Sequence, residues 1–196
     1  AIQQIYQRIQ QNNLQSGEGS LSQVEVRTDY IKKIQSDIHI AKPMKIVIDC
    51  GNGVAGAVAP SLFKALGCEV IELFCDVDGN FPNHHPNPSQ PENLIDLSEA
   101  VQQHGAELGI AFDGDGDRIG IVDSSGDPIW PDRLMMLFSQ DVLSRAPGSV
   151  ILYDVKSTNL LGEEIANAGG EAIMWKSGHA LIKNKMKEVN AQLAGE

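Results

Sequence analysis

The chain has 196 residues and a net charge of −11, with 26 acidic side chains against 15 basic ones. That length accommodates one or two domains with ample core, and so acidic a balance argues against nucleic acid as a partner, which needs a basic face. No apolar run approaches the roughly 20 residues of a membrane span, and three cysteines without metal-site spacing read as thiols of a reducing, cytoplasmic setting.

Residues 1–12 carry Ile2, Ile5, Tyr6 and Ile9, a helical stripe. A Gly/Ser/Gln-rich loop runs from Leu14 to Ser22, followed by an alternating piece at Val24–Val26 and a helix over about 29–38. The apolar face of the first helix has nothing obvious to cover it. Both ends read as cut, because the chain starts without Met or a leader pattern and stops within a new strand or loop.

Residues 41–130 form the next unit. Lys45–Asp49 is a β-branched strand, Gly51-Asn-Gly53 a turn, and 54–66 a helix that Gly67 ends. Glu69–Phe74 is a second strand, and a Pro/Asn-rich loop follows. Ser89-Gln-Pro-Glu92 has the form of a capping box opening a helix to about His104. Strands 107–112 and 119–123 flank an acidic loop, and Ser124-Ser-Gly-Asp127 is a turn.

A helix over 131–144, within a connecting segment 131–148, leads to a third unit at 149–196. Its order repeats that of the second: a strand ending in Asp (Val150–Asp154), a helix over about 158–167, a Gly stop, and a Glu-led strand (Glu171–Trp175). The fold class is therefore α/β, two related domains with mixed sheets flanked by helices, the second one truncated before its later strands.

The acidic loop reads Phe112-Asp-Gly-Asp-Gly-Asp-Arg118. Residues two apart in an extended backbone project to one side, so Asp113, Asp115 and Asp117 converge, while Gly114 and Gly116 let the chain bend. Three like charges held so close call for a cation. Oxygen ligands without Cys or His suit Mg²⁺, Mn²⁺ or Ca²⁺. An EF-hand fails on register, since the sixth position is Arg118 and the twelfth Ser124, where Gly and Glu are required. A solvated Asp-Gly turn is the plainer alternative, but the strand-like flanks favour a cation site.

This loop resembles the metal-binding loop of the α-D-phosphohexomutases, the family of the phosphomannomutase/phosphoglucomutase type. Lys45–Gly56 is similar to the opening of the family's second domain, Asp78–Pro88 to its long loop, and Asp154–Thr158 and Lys176–Lys183 to two substrate-side segments of its third. The resemblance makes residues 1–40 the tail of a first domain and a linker, 41–130 the complete metal-loop domain, and 149–196 part of a substrate-side domain. It implies a mutase that interconverts hexose 1-phosphate and 6-phosphate through a phosphoserine and a hexose bisphosphate, with one Mg²⁺ on Asp113, Asp115 and Asp117. Arg118 matches the active-site arginine, a salt bridge to the aspartates being the alternative or an added role. Lys156 matches a lysine near the reacting centre, against an exposed loop lysine. His179, at a helix N-terminus, matches a substrate contact, against a cap or surface histidine. Glu196 matches the first place of a Glu-x-Ser-Gly-His sugar loop.

Other features take plainer readings. Lys183, Lys185 and Lys187 form a solvated helix face. His84 and His85 are adjacent, so a shared metal is disfavoured against an ordered loop, and Gly51-Asn-Gly53 lacks P-loop or dinucleotide spacing. No Thr-x-Ser-His-Asn-Pro segment, the family's serine loop, occurs in the 196 residues. The resemblance therefore implies an inactive portion whose partners are the remaining domains of a parent enzyme. A non-catalytic module binding a divalent cation or a sugar phosphate is the rival from another class.

Overall fold

The computed structural model describes residues 2–195. Two helices open it, α1 (Ile2–Gln10) and α2 (Arg27–Asp37), and neither has a buried residue. No strand forms at 24–26. The Gln35 side chain ties α2 to the body by donating from Nε2 to the Ala65 carbonyl at 2.9 Å. No helix among the described residues is long and apolar enough to cross a membrane.

Strand β1 (Lys45–Asp49) is an interior strand of the first sheet. It pairs in parallel with β2 (Glu69–Leu73) and β3 (Leu108–Phe112). Antiparallel β4 (Ile119–Asp123) and the short β5 (Pro128–Ile129) complete the order β2-β1-β3-β4-β5. Successive side chains of β1 point to opposite faces, and both faces are sealed. Ile46 and Ile48 pack with Ala59, Ile110 and Ile121 on one side. Val47 packs with Leu94, Leu97, Val101 and Val122 on the other. The first face is closed by α3 (Ala59–Ala65), the second by α4 (Ile95–His104). Burying a Leu or Val side chain contributes about 1.5–3 kcal/mol, which explains why β1 reads as an uninterrupted apolar run. At Gly109 a Cβ would come within 2.7 Å of Val101 Cγ2, so glycine lets α4 lie close on β3.

Two expected elements differ. The helix over 54–66 is a 3₁₀ turn (Val54–Ala57) followed by α3. Gly56 backs so closely onto Cys75 that the chain tucks under the end of β2 before Pro60 opens α3. The capping box does not form. Gln90, extended and without a side-chain cap, precedes a 3₁₀ turn (Pro91–Leu94), and α4 begins only at Ile95. Asn87 takes the donors instead, its Oδ1 accepting the Ser89 N–H at 3.2 Å and its carbonyl accepting Asn93 Nδ2 at 3.0 Å.

The long α5 (Pro131–Arg145) leads to the second sheet, where β6 (Val150–Asp154), α6 (Asn159–Asn167), β7 (Glu171–Trp175), α7 (His179–Val189) and β8 (Leu193–Gly195) follow in turn. Its order, β7-β6-β8 with all pairs parallel, reproduces β2-β1-β3. The internal repeat therefore extends one strand beyond the expected strand-helix-strand, because β8 joins β6 as β3 joins β1. Ile151, Tyr153, Leu161 and Ile165 form its core with Met135 and Leu143 of α5. Along α5, Leu134 packs against the first core and Met135 belongs to the second. Thr158 caps α6, its hydroxyl accepting the Leu160 N–H at 3.4 Å.

Candidate metal centre and active-site edge

The acidic loop leaves the C-terminal end of β3, beside the turn that leaves the parallel β1. Ligand sites in α/β sheets collect at such carboxyl ends. Asp113, Asp115 and Asp117 each present a carboxylate oxygen within 4.8 Å of the other two, with Asp113 buried and its two neighbours exposed. The site residues expected from the loop are thus brought together. Asp113 accepts the Arg118 backbone N–H at 3.0 Å on Oδ1 and Arg118 Nε at 2.7 Å on Oδ2. Burial opposes its ionisation, but these Arg118 donors outweigh burial and hold the carboxyl below the usual range. Asp117 lies on the other side of that balance. The charges of Asp115 and Asp113 push its carboxyl up. Hard oxygen donors whose mutual repulsion is relieved only in part by one guanidinium fit a small divalent cation.

Arg118 forms the expected salt bridge and remains half exposed. Its Nε pairs with Asp113, while its side chain is 54% exposed, so the fork also faces outward. Nη1 lies 3.3 Å from Asn87 Oδ1, which joins the Pro-rich loop to the acidic one.

Beneath the loop the turn at 51–53 does more than reverse the chain. The Val54 N–H donates to the Gly114 carbonyl at 3.1 Å, and a Cβ on Gly53 would come within 2.9 Å of that same oxygen. Asn52 is buried with φ of 62°. Its Nδ2 donates to the Asp76 carbonyl at 2.8 Å and its Oδ1 accepts Asn83 Nδ2 at 2.8 Å. Asp49, fully buried at the end of β1, accepts the Gly51 N–H at 2.8 Å and pairs with His84 Nε2 at 2.9 Å. The Asp49 hydrogen bond outweighs burial and raises the His84 imidazolium to about 9.

At the corresponding edge of the second sheet, Asp154 is buried and accepts the Lys156 backbone N–H on Oδ1 at 2.5 Å. Among the described residues its Oδ2 makes no hydrogen bond of good geometry, and it lies 3.4 Å from Lys156 Nζ as an ion pair. Burial disfavours the Asp154 anion, yet the Ser177 hydroxyl and the Lys156 N–H and ammonium outweigh it, and the carboxyl stays low. The Lys156 side chain is 73% exposed beyond that anchor. His179 opens α7 directly after Gly178 and is exposed. Glu196 lies outside the described residues. Lys156 and His179 thus belong to the second sheet and the aspartates to the first. Asp132, in the first turn of α5, accepts the Thr158 N–H at 3.0 Å and anchors the Lys156 loop.

The basic face expected of α7 is not uniformly solvated, because Lys185 is folded over the Trp175 ring, its Nζ 4.6 Å from the centroid and its side chain only 15% exposed. Sequence reading also missed Asp49, His84, Asn87 and Asp154. Two of these had a local signal, since an Asp at the end of an apolar strand before a turn is placed to accept the N–H two residues on. The His84–Asp49 pair spans 35 positions and left none.

Two family models match. The phosphoglucomutase/phosphomannomutase alpha/beta/alpha domain II covers residues 28–126, and domain III of the same description covers residues 130–196. Over 195 residues the chain is 58% identical to the phosphomannomutase/phosphoglucomutase of Pseudomonas aeruginosa, and it spans 42% of that protein's length. It is 50% identical to a phosphoglucomutase of Neisseria meningitidis, spanning 43% of it. A solved phosphoglucomutase/phosphomannomutase family protein of Burkholderia thailandensis superposes on all of this chain with a TM-score of 0.95 at 53% identity, over 43% of its own length. The repeated sheets, the acidic loop and these matches agree, and the chain belongs to the phosphoglucomutase/phosphomannomutase family, of which it carries α/β/α domains II and III.

Proposed function

We propose that the full-length protein is a magnesium-dependent phosphohexomutase of the cytoplasm, interconverting the 1- and 6-phosphates of mannose, glucose or both through a phosphoserine and a bisphosphorylated intermediate. The observation that carries this reading is the convergence of Asp113, Asp115 and Asp117 beside an outward-facing Arg118 in a chain of this family. The three aspartates would hold Mg²⁺, which when bound supplies charge neutralisation for a phosphoryl group. The chain's own residues position. Arg118, its Nε fixed by Asp113, presents its remaining N–H groups to phosphate oxygens. Lys156, with its backbone fixed by Asp154, offers an ammonium for a phosphate contact or a proton exchange with a sugar hydroxyl. Gly178-His179, at the N-terminus of α7, faces substrate where a helix end favours anions, and Glu196 contacts the sugar.

Residues 1–196 alone turn over no hexose phosphate in this reading, because they contain no Thr-x-Ser-His-Asn-Pro serine loop to supply a phosphoryl group. That same absence is what favours the rival, a cation or sugar-phosphate binding module without catalysis. A magnesium titration of full-length Asp115→Asn tests the metal centre. The expected result is lower maximal activity with a higher half-saturating Mg²⁺ concentration. A curve that overlays the unmodified enzyme would mean the loop is an acidic turn and no metal centre.

A further inference from the structure

At the end of the β1–β2 ladder the sulfur atoms of Cys50 and Cys75 lie 3.5 Å apart. Cys50 directly follows β1 and is buried; Cys75 comes two residues after β2 and is half-buried. The Cys75 sulfur also lies 3.4 Å from the Leu73 carbonyl and 3.5 Å from that of Ile48, so the side chain is held toward β1. Cys68, the remaining thiol, precedes β2, a strand length of about 16 Å away.

We propose that Cys50 and Cys75 are an oxidisable dithiol, a modification site at which a peroxide forges a disulfide between the turn after β1 and the segment after β2. Cys75 reacts first. It is the more accessible sulfur, and the neighbouring Cys50 S–H stabilises its thiolate enough to outweigh burial, holding it below the ordinary thiol value. The same contact and burial push the Cys50 thiol up, so Cys50 enters as the resolving thiol. The Cys75 thiolate attacks one peroxide oxygen, the O–O bond breaks, and the leaving hydroxide takes a proton, giving a sulfenic acid and one water. Cys50 sulfur then attacks Cys75 sulfur and breaks the S–O bond. The Cys50 proton goes to the departing hydroxide as a second water. Overall two thiols and one peroxide give one disulfide and two waters. The sulfurs must close to about 2.0 Å, an approach of about 1.5 Å.

The bond ties down a junction already dense with contacts. Asn52, two residues after Cys50, donates its N–H to the Phe74 carbonyl at 2.7 Å, and Phe74, just before Cys75, sits in the left-handed region with φ of 50°. From this turn Val54 holds the acidic loop at Gly114. The site needs neither metal nor substrate to form, so it stands independently of the mutase reading.

The test uses the 196-residue chain treated with hydrogen peroxide, then alkylated, digested without reductant and weighed. The expected product is a Cys50–Cys75 cross-linked peptide, lighter than its two parts by two hydrogens, restored to free thiols by dithiothreitol, with Cys68 still alkylatable after unfolding. In Cys75→Ser the oxidation of Cys50 slows roughly tenfold or more, since a buried high-pKa thiol is a poor nucleophile. In Cys68→Ser the cross-link forms as before. Accumulation of a Cys75 sulfinic acid beside an intact Cys50 thiol overturns the proposal, as does a bond from either cysteine to Cys68 or to another chain. The unmodified chain alone decides this, whatever the folding of the variants.

Discussion

Asp49 and Asp154 occupy the same place in the two repeats, the last residue of the central strand, and both are buried. Each spends one oxygen on the N–H two residues ahead. They differ in the other oxygen, which in Asp49 meets His84 and in Asp154 faces the ammonium of Lys156. The first pair makes stability depend on pH. The folded His84 value of about 9 lies above the ordinary histidine value of 6.5, so the stabilisation is complete below pH 6.5 and is lost as pH rises through 9. Linkage puts it on the order of 3 kcal/mol. The urea midpoint of the unmodified chain should therefore fall across that window, and His84→Gln should flatten it; an unchanged slope in the variant would assign the dependence elsewhere. The acidic loop yields a contrast between two ligands of one candidate ion. Asp113→Asn weakens the buried acceptor of two Arg118 donors and should cost about 1–3 kcal/mol, whereas exposed Asp115→Asn should leave the urea midpoint where it was. Equal shifts would show that Asp113 is not the structural anchor of the loop. The three aspartates were legible as an acidic loop between two strands, but a turn gathers them and not an extended run: the Gly116 N–H donates to the Asp113 carbonyl at 3.1 Å and Gly116 has φ of 74°. Asp49 and His84 were not legible, because their pairing depends on where a long loop returns.

At the scale of elements, backbone proximity accounts for what local pattern could not show. Residues 54–66 split at Pro60, which fits only the first turn of a helix, and the turn before it is 3₁₀ where the Cys75 carbonyl occupies the space next to Gly56. An Ala there would need its Cβ within 2.0 Å of a backbone oxygen. Gly56→Ala should therefore lower stability by about 2 kcal/mol or more. Gly67→Ala, where φ is +94° and no atom lies within 4 Å, should cost only the roughly 1 kcal/mol of a left-handed Ala. Urea midpoints of the two variants check the order, and a reversed order would remove the close-approach argument. The capping box failed for a related reason: Ser89 and Glu92 have the right spacing, but Asn87 had already drawn the local donors into its own turn. Strands β1 to β4, β6 and β7 were read to within a residue at each end, because their apolar runs are continuous, while the short β5 and β8 were not.

Over the whole molecule, α5 is the shared element, with Leu134 on the first core and Met135 and Leu143 in the second. Leu143→Ala should destabilise the second core by about 2–5 kcal/mol. Amide exchange should then quicken in β6 while β1 keeps its protection, and equal quickening in both would mean a single cooperative unit. The duplication was legible from the order of elements, but its third strand was not, since Leu193–Gly195 is too short to carry a period of its own. The order β2-β1-β3 also has a consequence in time. The first strand made lies inside its sheet, and its two neighbours come from residues 69–73 and 108–112. A ribosome adding about 5–20 residues per second needs roughly 3–13 s to go from Asp49 to Phe112. For that interval Lys-Ile-Val-Ile-Asp waits with at least one edge unpaired, and the second sheet repeats the delay, because β6 is synthesised well before β8. Nascent chains of this protein are therefore most open to strand-to-strand association during synthesis, when the central strands lack the neighbours that later enclose them.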